Sequence, residues 1–148
     1  MVKLVSLLED RDVEYEIIKH NKIINTALEG AESLGIQLGE TAPTLILRTD
    51  QGYYSLIISG NYGRVDMDFM RNLLQVQEIR LAKPKEVEEV TGSSIGNVSL
   101  INPSIPTIFD RELYRFSHIF GGTGERQTTL KIRPREVEQL NNVVGYIR

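Results

Sequence analysis

Two β-rich runs, TLILRT from Thr44 to Thr49 and YYSLIIS from Tyr53 to Ser59, flank Asp50-Gln51-Gly52. Branched and aromatic residues on both sides of a glycine-bearing turn predict a β-hairpin. The other segments are short and alternate in type around it. Val2–Asp10 carries Leu4, Val5 and Leu8 on one helical stripe, and Val13 to Ile17 alternates apolar and acidic residues as a half-buried strand does. Thr26 followed by Glu29 has the capping-box spacing, and Gly35 is placed to stop the helix it opens. Asp66 predicts the N-cap of a helix through Phe69, Met70 and Leu73, and Pro84 the first turn of another, ended by Thr91-Gly92. Short strands are expected at Glu78–Ala82, Thr107–Asp110, His118–Phe120, Thr128–Arg133 and Val143–Ile147, with a last helix from Pro134. Between Gly92 and Pro106 lies a long loop rich in glycine, serine and asparagine, of a length that is usually functional or mobile. The expected fold is α+β: one domain over residues 1–148, with a mixed, mostly antiparallel sheet or partly closed barrel surrounded by helices.

Composition narrows the chemistry. The chain has 148 residues, and Leu, Ile, Val and Phe make up nearly a third of them, enough for a packed core. With no cysteine and two distant histidines, His20 and His118, thiolate chemistry and a metal motif are excluded, so no metal or cofactor is expected. The N-terminal segment meets acid within nine residues and reads as neither a signal peptide nor a membrane span, which makes a soluble cytoplasmic protein the expectation. Net charge is −3, acidic up to Asp110 and basic from Arg111 onward. That balance disfavours tight non-specific nucleic-acid binding but allows a local basic face for an RNA end. The same arginines also read as ordinary partners of nearby acids. No GxSxG, HExxH, Walker A or dinucleotide fingerprint occurs. The run from Gly121 to Gly124 suits an anion-binding turn or a plain tight turn. Glu86, Glu88 and Glu89 read as a solvated helix face. His20 stands at a strand end, where a turn hydrogen bond would account for it.

Resemblance carries the reading further. TALEGAESLG from Thr26, TLIL from Thr44, ISGNYGRVD from Ile58, RLAKPKEV from Arg80, TGSSIG from Thr91, Phe109-Asp110 and FGGTG from Phe120 follow the order and spacing of the prolyl-tRNA editing domain family. That family comprises the YbaK-like aminoacyl-tRNA deacylases and the insertion domain of bacterial prolyl-tRNA synthetases. The resemblance implies hydrolysis, in trans, of the ester joining a wrong amino acid to the terminal ribose of tRNA. It implies the tRNA 3′ end or aminoacyl-tRNA as partner, with an aminoacyl-tRNA synthetase as a further one, and no membrane. By the same resemblance, Thr26 and Thr44 line the pocket, and Gly96, Asn97 and Ser99 form a backbone cradle with a catalytic role. Gly122, Gly124 and Gln127 close the site, and Arg64 meets RNA phosphate. The sequence departs from the family pattern at three points. Pro43 occupies the position of a family lysine, Leu100 that of the proline in a G-x-x-x-P loop, and Gln127 that of a polar residue, often Asp or Asn. The alternative implied by these departures is a binding module that keeps fold and pocket without turnover.

Overall fold

A computed structural model describes residues 1–148. The hairpin seeds the larger of two sheets. Strands β2 (Thr44–Thr49) and β3 (Gly52–Ile57) pair antiparallel, and β4 (Ile79–Leu81) adds to the outer edge of β2. On the other side β3 pairs in parallel with β5 (Pro106–Asp110), and β5 with β8 (Asn142–Ile147). The order is therefore β4-β2-β3-β5-β8. A second, antiparallel sheet has the order β1-β7-β6, from Tyr15–Lys19, Thr128–Ile132 and Ile119–Gly121. The α+β class and the mostly antiparallel pairing agree with the sequence reading. The strands are divided between two sheets, and neither closes into a barrel. Isolated parallel bridges at Thr41–Phe120 and Ser99–Gly122 join chain segments across the gap between them.

Alternation along β2 explains the layering. Successive side chains face opposite ways, so Leu47 joins Leu56, Ile108 and Ile147 under Met70 of α3 (Met67–Leu74), while Ile46 meets Ala82, Val98 and Val87 of α4 (Pro84–Thr91). The largest core lies between the sheets. Ile57 and Phe109 meet Ile119, Leu130 and Ile132 there, with Leu4 and Leu8 of α1 (Val2–Asp10) and Val137 and Leu140 of α5 (Pro134–Leu140).

The helix ends follow the sequence signals. At α2 (Ala27–Leu34), Thr26 Oγ1 accepts the Glu29 N–H at 3.1 Å, and Gly35 takes φ +68°. The Glu29 carboxylate reaches back to the N–H of Asn25, one residue before the cap. Asp66 accepts from the N–H groups of Asp68 and Phe69 to open α3. Two short 3₁₀ turns, Leu38–Glu40 and Arg111–Arg115, have no helical stripe in the sequence and were not expected.

The Gly92–Pro106 loop has no regular structure between α4 and β5, as expected, yet it is firmly held. Val98, Leu100, Ile101 and Ile105 are buried. Asn141, at the end of α5, donates to the Leu100 carbonyl and accepts the Asn102 N–H at 2.7 Å. One buried carboxylate pins the end of β5. Asp110 accepts the Ser59 N–H at 2.9 Å and the Arg148 guanidinium at 2.7 Å, so desolvation of the charge is offset by several charge-assisted donors.

Candidate functional site

A cavity of about 350 Å³ opens where the N-terminal end of β2, helix α2, the Gly92–Pro106 loop and the β6–β7 turn converge. Its size suits a small-molecule site. Of the residues singled out from the sequence, Thr26, Pro43, Thr44, Gly96, Asn97, Gly122 and Gln127 line it. These positions span a hundred residues of sequence, and the two isolated bridges bring them together.

Three of the expected residues lie outside the wall. Ser99 turns its Oγ to the Ile101 N–H at 3.1 Å and serves the loop's own turn. Gly124 is one turn further out, at φ +97°, against the Ser93 hydroxyl. Arg64 precedes α3, which packs on the opposite face of β2 from Ile46, and it sits in a shallow surface depression beside Asp66 and Asp68. Two neighbouring carboxylates make that a poor phosphate site.

The wall is made of backbone and neutral side chains. The N–H groups of Gly96 and Val98 make no hydrogen bond within the chain, and both residues face the cavity. Thr44 Oγ1 is buried without a partner. Buried polar groups are nearly always satisfied, so this orphan hydroxyl just behind the cavity wall would find a partner only by turning toward the cavity. Asn97 is committed locally, donating through Nδ2 to Ser94 Oγ at 2.7 Å. Gln127 adopts φ +59°, and its carbonyl accepts the His20 N–H at 2.8 Å.

Glycines let the loop lie this close. A Cβ on Gly122 would stand 2.1 Å from the Val98 carbonyl oxygen, so only glycine allows the loop to bridge the β6–β7 turn. Leu100, at the family's proline position, is fully buried, and a Cβ on Gly121 would fall 2.5 Å from its Cγ. Leu100 thus anchors the loop by packing, where a proline would do so by restraining φ.

No Lys, Arg, Asp or Glu lines the cavity. Pro43 is in the wall, and its carbonyl accepts the Ile58 N–H at 3.1 Å. The one titratable side chain is His20, which the strand-end reading did not place in a site. No group of three or more His, Cys, Asp or Glu converges anywhere in the fold. No helix is long and apolar enough to cross a membrane. The rim is apolar, with Leu81 and Ile95 each about half exposed.

Comparison with known proteins follows the same geometry. The family model described as "Aminoacyl-tRNA editing domain" matches residues 22–140. The chain is 27% identical over 118 residues to the uncharacterized protein YwhH of Bacillus subtilis, covering 78% of this chain and 74% of that protein. It is 25% identical over 108 residues to a proline--tRNA ligase of Caldicellulosiruptor saccharolyticus, covering 73% of this chain but only 19% of the ligase. Among solved structures, hypothetical protein APE2540 superposes with a TM-score of 0.88 at 28% identity, over 97% of both chains. A candidate trans-editing enzyme for prolyl tRNA synthetase superposes with a TM-score of 0.84 at 25% identity, over 97% of this chain and 92% of that one.

Proposed function

Because the chain belongs to the aminoacyl-tRNA editing domain family, we propose that it hydrolyses the ester of a mischarged aminoacyl-tRNA in trans, with residues 1–148 acting as one editing domain. The observation that carries this reading is the neutral cavity, lined by Gly96 and Val98, whose N–H groups are unpaired within the chain. A water attacks the ester carbonyl, and charge builds on the carbonyl oxygen. Fixed N–H donors stabilise that charge most in the transition state, where a single donor is commonly worth about 10²–10³ in rate. The carbon–ribose oxygen bond then breaks, releasing the free amino acid and a tRNA with its terminal diol. A cavity of about 350 Å³ has room for an aminoacyl group, and the fit of its side chain against the wall would set which esters are cleaved. The tRNA 3′ end is the partner of this reaction. The similarity to proline--tRNA ligases and to a candidate trans-editing enzyme supports a working association with a synthetase.

Pro43 favours a second reading. It removes the ammonium of the family's lysine, and no other cation lines the cavity. Binding without turnover would follow. Deacylation across a panel of mischarged tRNAs, alanyl- and cysteinyl-tRNA among them, separates the two. Hydrolysis above the spontaneous rate by the natural chain is the expected result, with Pro43→Lys raising it further. A natural chain that binds a non-hydrolysable aminoacyl-adenosine analogue, yet leaves every ester on the panel intact, would establish the binding module instead.

A further inference from the structure

The cavity wall holds one side chain whose ring nitrogens can both accept and donate a proton, the His20 imidazole. His20 follows β1 directly, and its ring is fixed from one side, with Nε2 2.7 Å from Thr129 Oγ1. Its backbone N–H is held by the Gln127 carbonyl at 2.8 Å. Nδ1 makes no hydrogen bond within the chain. When Nε2 carries the proton and donates it to Thr129, Nδ1 is left as an acceptor; the tautomer follows from the partner of the other nitrogen. Gln127 and the first two residues of β7, Thr128 and Thr129, are uncharged. Lys19 and Lys22 flank it in the chain, and Arg126 lies in the neighbouring turn. The Glu125 carboxylate in that turn is 3.5 Å from the N-terminal ammonium.

We propose that His20 is the proton-transfer residue of this cavity, with Thr129 as the residue that positions its ring. The proposal rests on the editing reading. Nδ1 accepts a proton from the attacking water as the water oxygen bonds to the ester carbon. The tetrahedral intermediate collapses, the bond to the ribose oxygen breaks, and His20 returns the proton to that oxygen. Ester and water become acid and alcohol, and the imidazole ends as it began. This supplies within the cavity a proton acceptor that no carboxylate or amine there provides.

The test is single-turnover deacylation of the same panel from about pH 5 to 8 with the natural chain, His20→Gln and Thr129→Val. Gln keeps a hydrogen-bonding group toward Thr129 but cannot take up the proton. The expected result is a loss of about a hundredfold or more in the rate constant for His20→Gln. Affinity for the aminoacyl-adenosine analogue stays near that of the natural chain, and the pH inflection disappears. Thr129→Val keeps the inflection and moves it, because the ring remains and its partner is gone. An active natural chain with a His20→Gln variant of equal rate and equal pH profile overturns the role of His20 and leaves the editing reading standing. A natural chain silent on the whole panel overturns both. Matching thermal melts of the three proteins exclude a folding explanation.

Discussion

At the scale of single residues, the strongest electrostatic arrangement lies beside the site. Glu86 takes both Arg80 guanidinium nitrogens, at 2.7 and 3.1 Å, the Lys83 N–H at 2.8 Å and the Tyr53 hydroxyl at 3.0 Å. One carboxylate therefore caps α4, ties it to β4 and reaches β3. The Arg80 bonds above all, then the Lys83 N–H, hold its pKa down to about 2 from an ordinary 4.5. A carboxylate depressed in the folded state adds stability that is fully present above its unfolded pKa and lost as pH falls through the folded one. The natural chain should therefore lose part of its stability between about pH 4.5 and 2 through this group. Glu86→Gln has no charge to neutralise, so its urea midpoint should fall less steeply over that window. Parallel acid slopes for the two proteins would show that the Glu86 pairing is thermodynamically idle.

At the scale of elements, the loop and the β6–β7 turn form one unit. Gly122→Ala puts a methyl group against the Val98 carbonyl, which is backbone and cannot swing aside. The expected cost is about 1–3 kcal/mol of stability, as in other overpacked sites. Because the displaced segment carries Gly96 and Val98, binding of the aminoacyl-adenosine analogue should be lost as well. A Gly122→Ala protein that melts and binds like the natural chain would separate the loop from the turn. The elements themselves were largely legible in the sequence because their signals are local. Thr26 and Glu29 are three residues apart, Asp66 caps the turn that follows it, and the hairpin needs only Gly52 between its strands. The division into two sheets was not legible, because it depends on which distant strands pair, β1 with β7 in one sheet and β3 with β5 in the other. The same distance hid His20, whose ring partner Thr129 is 109 residues away in the chain. It also hid Asn141, whose hold on the loop no motif announces. Ser99 and Gly124 stand close to wall residues in sequence, but the turns they belong to carry them outside the wall.

At the scale of the whole molecule, the question is how a chain of net charge −3 meets an RNA. Of the seven basic residues from Arg111 onward, four contact an acid or an aromatic ring, and Arg115, Arg126 and Arg135 do not. Arg148 is bound to Asp110 at 2.7 Å, and Arg133 pairs with Glu14 at 3.2 Å. The Arg111 guanidinium lies 4.5 Å from the centre of the Tyr146 ring, and Lys131 lies over Phe120. Arg133 and Arg148 are thus partners of nearby acids, as one reading of the sequence has it. The cavity adds no cation of its own. On the proposed editing function, recognition would rest on the aminoacyl end and the terminal nucleoside, with few phosphates neutralised, about two to four. Each neutralised phosphate contributes roughly 0.9 to the log–log salt slope on duplex and 0.7 on single strands. Binding of uncharged tRNA should accordingly weaken with salt at a slope of about −2 to −4, and a short 3′-terminal oligonucleotide should retain most of the affinity. A slope much steeper than this would point to a phosphate-binding face that draws on the unpaired Arg115, Arg126 and Arg135. A slope of zero would mean that the cavity takes its ligand without the RNA.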